Sequence, residues 1–343
     1  MKLTILISAS ILFLSQSVSA QTTSSGIMLL KKTIIGGTGG WDYVFISSED
    51  RHLYLSHGNQ VEVVNADTHE MIGVIPDTKG VHGIAAIPAL GKGYTTNGKA
   101  DNVTVFDIKT LKVTSVITAG TNPDALLYDQ FSNRVFILNN DSKNVTVIDA
   151  KMDTVIATID LGGNPEAGVC NDKGLVYVNL EDANEIVVFE SKTLAVKNRF
   201  KLSPGEQPTG IAMDKKAHRL FSACRGSQLM MILDADNGRI VAQLPIGKGV
   251  DGAGFDDVSK LIYSSNGDGT LTIIKEISKD KFELLDNVKT EQGARTMTFD
   301  SKTKHIFTAT PQFGATPAAT TENPRPRPAI LPNTFMLLEY GKK

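Results

Sequence analysis

The chain has 343 residues, with 35 basic and 37 acidic side chains and a formal net charge of −2. A balance so close to neutrality gives no general attraction to polyanions, so nucleic acid is not expected as a partner. Beyond the N-terminus no stretch approaches the ~18 uninterrupted apolar residues of a membrane-spanning helix, so no membrane span is expected.

The first twenty residues are typical of a secretory signal peptide. Lys2 supplies a positive charge, an apolar run extends from Leu3 to Leu14, and residues 18–20 place small side chains where signal peptidase cuts. No cysteine follows the cleavage point, so the sequence has no lipobox. The sequence therefore predicts a signal peptide at 1–20 and a periplasmic or secreted mature protein, residues 21–343, that forms a single domain.

One aromatic position recurs about every 42 residues along the rest of the chain. It is occupied by Tyr54, Tyr94, Phe136, Tyr177, Phe221, Tyr263 and Phe307. Each of these residues lies in a short β-rich run, and three other short runs separated by turns complete each unit, without helical periodicity. The sequence therefore predicts an all-β fold, a seven-bladed β-propeller of four-stranded antiparallel blades.

The predicted blades start near residues 41, 81, 123, 165, 208, 250 and 294. The last unit ends at its third strand, the run Phe335–Glu339, whereas an apolar run at about 29–36 resembles the fourth strand of the other units. We therefore expect the N-terminal strand to complete the last blade and close the ring, which leaves no open sheet edge at the junction.

The last unit carries an insertion at about 311–333, between its second and third strands. It contains six of the thirteen prolines, a composition typical of polyproline II or irregular backbone. By topology it emerges on the face where the innermost strands begin. Two interpretations stay open: a lid that brings Arg325 or Arg327 over the channel mouth, or a surface loop without a role.

The repeat resembles that of the YVTN-repeat, or YncE-like, propeller family. Residues 121–149 match best, with Asn122 and Pro123 at the entry, the run Phe136–Asn140 and the run Val145–Asp149. The resemblance extends over about 29–343 and implies a seven-bladed propeller. It implies no single reaction, because the family is not tied to one.

A polar or charged residue enters the innermost strand of every unit. These residues, which we call the entry ring, are Asp42, His82, Asp124, Glu166, Thr209, Asp251 and Arg295. Because innermost strands line the central channel, the entry ring is predicted to converge on one channel mouth. The loops after the second strands open on the same face and are predicted to surround that mouth with His57, Asn97, Asn140, Glu181, Arg225 and Asn266.

Crowded carboxylates in the entry ring should raise some of their own pKa values or attract a cation. The residues predicted to hold a divalent cation, Ca²⁺, Mg²⁺ or Zn²⁺, are Asp124, Glu166, Asp251 and His82. Two alternatives stay open: a water-filled channel that needs polar walls anyway, and an ion pair of Arg295 with Asp42 or Asp251. Covalent haem is not expected, because Cys-x-x-Cys-His is missing.

These features favour an extracytoplasmic binding propeller, expected to be a monomer, whose channel mouth takes a small ligand, a metal or a partner protein. The predicted contacts are Asp42, His82, Asp124, Glu166, Asp251, Arg295, His57, Asn97, Asn140 and Asn266. One alternative is a metal-dependent lactone or ester hydrolase of lactonase type. Another is a purely structural scaffold for protein interaction. Since no nucleophile motif is found, the sequence favours a protein that is not an enzyme.

Overall fold

The structure, a computed structural model, describes residues 24–321, 324 and 326–343. These residues form 28 β-strands in seven four-stranded antiparallel sheets, with single-turn 3₁₀ helices at Pro88–Leu90 and Gly98–Ala100. Among them, no helix has the length and apolarity to cross a bilayer. The predicted signal peptide lies outside the described residues.

The first strand, β1 (Met28–Ile34), precedes the first complete blade. Blade 1 contains β2 (Trp41–Ser47), β3 (His52–His57), β4 (Gln60–Asn65) and β5 (Met71–Ile75). Blade 2 contains β6 (Val81–Ile87), β7 (Lys92–Asn97), β8 (Asn102–Asp107) and β9 (Val113–Thr118). Blade 3 contains β10 (Pro123–Asp129), β11 (Arg134–Asn139), β12 (Asn144–Asp149) and β13 (Thr154–Asp160).

The later blades repeat the same order of strands. Blade 4 contains β14 (Pro165–Cys170), β15 (Leu175–Leu180), β16 (Glu185–Glu190) and β17 (Val196–Lys201). Blade 5 contains β18 (Pro208–Asp214), β19 (Arg219–Cys224), β20 (Leu229–Asp234) and β21 (Ile240–Pro245). Blade 6 contains β22 (Val250–Asp256), β23 (Leu261–Asn266), β24 (Thr270–Ser278) and β25 (Lys281–Lys289). Blade 7 contains β26 (Met297–Phe299), β27 (Ile306–Thr310) and β28 (Met336–Gly341).

Strand β1 completes blade 7 as its outermost strand. It pairs antiparallel with β28, from Met28 opposite Gly341 to Ile34 opposite Met336. The first strand of each blade contacts the first strand of the next, and β26 of blade 7 contacts β2 of blade 1. The predicted seven-bladed ring, closed by the N-terminal strand, is confirmed.

The recurring aromatic residue is buried in the second strand of every blade, with at most 2% of its surface exposed. It packs between neighbouring blades: the Tyr54 ring of blade 1 lies 5.8 Å, centroid to centroid, from the Phe106 ring of blade 2. The Tyr94 hydroxyl of blade 2 likewise donates to the Ala150 carbonyl oxygen of blade 3, at 3.1 Å. Large rings at this position therefore bury the blade faces against each other.

The Pro-rich insertion connects β27 to β28. Phe313 and Ile330 form an antiparallel bridge near its ends, and the Gly314 N–H donates to the Ala329 carbonyl oxygen at 2.9 Å. Residues 322, 323 and 325 of the insertion lie outside the described residues. The two limbs of the insertion are therefore joined to each other beside the channel.

Candidate functional site

Six of the seven entry-ring side chains, together with Arg225, form a network of polar contacts at one end of the channel. The seventh, Thr209, is fully buried, and its hydroxyl donates to the Val250 carbonyl oxygen. His82 Nδ1 lies 2.5 Å from Asp42 Oδ2 and 3.7 Å from Asp124 Oδ1. On the other side of Asp42, the Arg295 guanidinium lies 3.6 Å from Asp42 Oδ1 and donates to Asp251 Oδ2 at 2.6 Å. Arg295 therefore pairs with Asp251 and lies within ion-pair distance of Asp42, as in the ion-pair alternative that the sequence left open.

Arg225, which follows the second strand of blade 5, is a second cation of the site. Its Nη2 pairs with Asp251 Oδ1 and lies 3.5 Å from Glu166 Oε1. Its Nη1 lies 3.5 Å from Glu181 Oε1. Among the described side chains no arginine or lysine forms an ion pair with Asp124, so the positive charge of the ring is concentrated on blades 5 to 7.

The backbone of the entry ring is held by hydrogen bonds between blades. The Ser56 hydroxyl of blade 1 donates to the carbonyl oxygen of His82. The Thr96 hydroxyl of blade 2 makes the same contact with the carbonyl oxygen of Asp124. Because buried hydroxyl and carbonyl groups are costly to leave unpaired, these contacts fix the points from which the entry-ring side chains project.

A cavity of about 560 Å³ lies at the channel mouth, and we call it the mouth cavity. Its acidic lining residues are Asp42, Asp124, Glu166, Asp251 and Asp268. Its basic lining residues are Arg225, Lys248, Arg295 and Arg327, and Tyr43 adds a phenol. A concave site of this volume is typical for a small molecule, and its walls present both signs of charge.

Burial and repulsion between neighbouring acids raise the pKa values of two carboxyl groups well above their usual range. For Asp124, burial is the largest cause, followed by Asp42 and Asp251. For Glu166, burial is followed by Asp124 and Asp251. The pKa of Asp251 is also raised by burial, but Arg225 and Arg295 oppose this effect. Burial, more than the crowding that the sequence suggested, is therefore the main cause of these raised pKa values.

A second cavity of about 410 Å³ adjoins the mouth cavity, and we call it the aromatic cleft. The two share Arg295 and Arg327 in their walls. The other large side chains of the aromatic cleft are Trp41, Phe313, Pro328 and Ile330. The Trp41 and Phe313 ring centroids are 5.5 Å apart, and the Arg295 guanidinium carbon lies 4.7 Å from the Trp41 ring centroid.

Three residues that we expected around the mouth are instead buried and do not line the mouth cavity. His57 is 3% exposed, and its ring stacks on Phe335 with centroids 4.3 Å apart. The Asn97 amide donates to the Thr104 hydroxyl at 2.8 Å. The buried Asn266 amide makes the equivalent contact with the hydroxyl of Thr272 at 3.0 Å.

These three residues miss the mouth because the mouth-facing position lies one residue further along the chain. Each of the three ends a second strand, and side chains alternate faces along a strand. The mouth-facing position is the next residue, which is glycine at Gly58, Gly98 and Gly267. Asn140 does occupy that next position, and its amide lies 3.4 Å from Glu166 Oε2.

The insertion reaches the site through Arg327, which lines both cavities. Arg325 lies outside the described residues. Trp41, Tyr43, Lys248 and Phe313 also line these cavities and were not predicted from the sequence. Trp41 could have been predicted from the sequence, because it directly precedes the entry-ring residue Asp42 at the start of β2. Phe313 and Lys248 could not, because they lie in connections that differ from blade to blade.

Comparison with known proteins identifies the fold alone. No family model matches the chain, and no curated protein matches it. Among solved structures, the WD40 repeats of RRP9 are similar, with a TM-score of 0.74 over 94% of this chain and 99% of that chain. The sequence identity is 9%, so this likeness supports the propeller architecture and carries no function.

Proposed function

We propose that this chain is an extracytoplasmic binding propeller that takes a small amphiphilic molecule at the channel mouth. The observation that carries the proposal is the junction of the mouth cavity and the aromatic cleft at Arg295 and Arg327. The polar head of the ligand would lie among the charged groups of the mouth cavity. An aryl or acyl part would lie against Trp41 and Phe313.

The charge pattern favours a hydroxylated or zwitterionic head group over a simple anion or cation. The wall of the mouth cavity presents both carboxyl groups and guanidinium groups, so a head group with donors and acceptors finds partners of both kinds. Asp124 and Glu166 add to this, because both carboxyl groups line the cavity wall that the head group would face.

The aromatic cleft favours an apolar group with at least one flat face. Trp41 and Phe313 are inclined at 59° to each other, and Ile330 and Pro328 complete the wall. Apolar area removed from water stabilises a complex by about 25 cal/mol per Å². In this proposal the insertion contributes part of the binding surface, which agrees with the interpretation of the insertion as a lid that brings Arg327 over the channel mouth.

Two further parts of the proposal rest on sequence patterns. Location outside the cytoplasm is supported by the signal-peptide pattern of residues 1–20. N-terminal sequencing of the secreted or periplasmic protein should begin at Gln21, and a mature chain that begins at Met1 would contradict the location. Membership of the YVTN-repeat family is supported by the match at 121–149.

Trp41 is the only tryptophan of the chain, so its fluorescence reports on the aromatic cleft directly. We would use 8-anilinonaphthalene-1-sulfonate as the probe for the aromatic cleft, because its flat apolar rings suit Trp41 and Phe313 and its sulfonate suits the two arginines that line the cleft. We expect it to bind at one site and to quench Trp41 emission by energy transfer. Phe313→Ala and Arg327→Ala should each weaken this binding about tenfold, the equivalent of 1.4 kcal/mol.

The matched control is Phe131→Ala, which removes an aromatic ring that is 43% exposed and lines neither cavity. It should bind the probe as the wild type does. Equal affinity in the Phe313→Ala and Phe131→Ala variants would refute the proposal, as would a bound probe that leaves Trp41 emission unchanged. Native mass spectrometry of the protein purified without chelator would then identify any natural ligand by its mass.

A further inference from the structure

We infer that Asp42, His82 and Asp124, the entry residues of blades 1 to 3, form a binding site for one Zn²⁺ ion. One ligand atom of each residue lies within 4.8 Å of the other two. This inference goes beyond the proposed function, because the ion needs no organic ligand in order to bind. It also differs from the set that the sequence predicted, which included Glu166 and Asp251.

The two arginines divide the entry ring into unlike halves. Asp251 is held by Arg225 and Arg295 at once, and Glu166 lies 3.5 Å from Arg225. A cation arriving at those two acids would have to displace a guanidinium group. Glu166 and Asp251 are therefore poor metal ligands, although their residue types suit a metal.

The other half of the ring keeps its ligand atoms available. Only Asp42 contacts an arginine there, and it uses Oδ1, 3.6 Å from Arg295 Nη2. Its second oxygen, Oδ2, faces His82 Nδ1. Arg295 and a metal ion can therefore use different oxygens of Asp42, and Arg295 can stay in place when the metal binds.

Asp124 supplies a second, independent observation. Its Oδ1 is shielded from solvent and has no hydrogen-bond partner among the described residues. His82 Nδ1 lies 3.7 Å from this oxygen, beyond hydrogen-bond distance. A buried carboxylate oxygen without a partner loses its hydration and gains nothing in return, and a metal ion between Asp42, His82 and Asp124 would supply the missing partner.

The space around His82 is kept free by a glycine. A Cβ atom at Gly98 would lie 2.6 Å from His82 Nε2, which is too close for any side chain to be tolerated without movement. Gly98 occupies the mouth-facing position after β7, where blades 3 to 5 carry a side chain. The absence of a side chain there lets the imidazole stand between the two aspartates.

The ligand types select the metal. Ca²⁺ takes six to eight oxygen ligands and Mg²⁺ prefers an octahedron of oxygens, whereas Zn²⁺ binds imidazole nitrogen and carboxylate oxygen together. Tetrahedral Zn²⁺ with bonds of 2.0–2.1 Å places its ligand atoms about 3.3 Å apart. The observed separations of 2.5 Å and 3.7 Å from His82 Nδ1 lie on either side of that value. The fourth position would open into the mouth cavity.

The test is calorimetric titration of the chelator-treated mature protein with ZnCl₂, followed by Co²⁺ substitution to read the coordination from its visible absorption. We expect one Zn²⁺ per chain. Loss of a second-shell partner costs a metal site about 10–100-fold in affinity, so loss of a direct ligand in Asp124→Asn or His82→Ala should cost about 100-fold or more. Asp42→Asn is the replacement variant if either of these fails to fold, which urea unfolding without metal would reveal.

Two control variants locate the ion. Glu206→Gln removes an exposed carboxylate from the same face of the propeller and should leave zinc affinity unchanged. Glu339→Gln removes the carboxylate that lies between His69 and His305 in another part of the fold. Zinc binding that is lost in Glu339→Gln but kept in Asp124→Asn would overturn the inference, and so would the absence of zinc binding by the wild type.

The outcome is independent of the proposed function. The fluorescent-probe titration is run with chelator present, and the zinc titration is run without the probe. Failure of zinc binding therefore leaves the probe result intact, and failure of probe binding leaves the zinc result intact.

Discussion

Replacing Arg225 with methionine should destabilise the propeller, because it leaves Glu166 and Asp251 short of positive charge. Both carboxylate side chains are 11% exposed. At 3.5 Å, the Arg225–Glu166 separation, an effective dielectric constant of about 20 gives about 5 kcal/mol of gross attraction, which desolvation of the ions largely offsets. Removing one partner of a buried pair costs about 3–5 kcal/mol. Because the Arg225 side chain is 34% exposed, we expect about 2 kcal/mol after solvent screening.

The loss of stability on replacing Arg225 should depend on pH, and the ionisation of Glu166 determines whether it grows or shrinks as pH rises. Burial and the neighbouring acids raise the pKa of Glu166 above its ordinary value of 4.5, and Arg225 opposes them. A carboxyl group whose folded pKa is raised binds protons more tightly in the folded state, so its contribution to stability falls as pH rises from the unfolded pKa toward the folded one. Removal of Arg225 should therefore cost less stability at about pH 5 than at about pH 8.

The assay is urea-induced unfolding followed by far-ultraviolet circular dichroism at both pH values. The control is Arg199→Met, which removes an arginine that is 40% exposed and lies 3.2 Å from Glu185, and it should cost less than about 0.5 kcal/mol. Adding Glu166→Gln to Arg225→Met should recover most of the loss at the higher pH. The reasoning is refuted if the two arginine variants lose equal stability, if the loss is the same at both pH values, or if Glu166→Gln gives no recovery.

Two further predictions concern the closure of the ring. Burial opposes ionisation of Glu339, but hydrogen bonds with His69 and His305 outweigh it and lower the pKa of Glu339. The ionised Glu339 therefore stabilises the fold above about pH 4.5, and this stabilisation is lost as pH falls through the folded pKa. Glu339→Gln should lower the melting temperature at neutral pH and have the melting temperature of the wild type in acid. Leu338 lies in the buried centre of β28, so Leu338→Ala should lower the free energy of unfolding in urea by about 3 kcal/mol. The control is Val258→Ala, at a residue that is 72% exposed, which should lower it by less than about 0.5 kcal/mol.

The sequence alone determined the architecture, because the packing requirement of a propeller is repeated in every blade. A ring such as Phe136 must be buried between blades, so it recurs with the period of the blade. The last unit lacks a fourth strand after Phe335–Glu339, and the run near residue 29 has no unit of its own. The sequence therefore predicted that this run completes the last blade, which the pairing of β1 with β28 confirms. The entry ring was also accessible, since its members occupy one position of each unit.

Only the tertiary structure decided which polar residues meet. Whether a residue at the end of a strand faces the channel depends on a single step of register, so His57 and Asn97 were misplaced while Asn140 was not. The pairing of Arg225 with Asp251 joins two different blades. The contact of Phe313 with Trp41 joins residues near opposite ends of the chain. Such contacts depend on how the blades twist and close around the axis, which the pattern within one repeat does not specify.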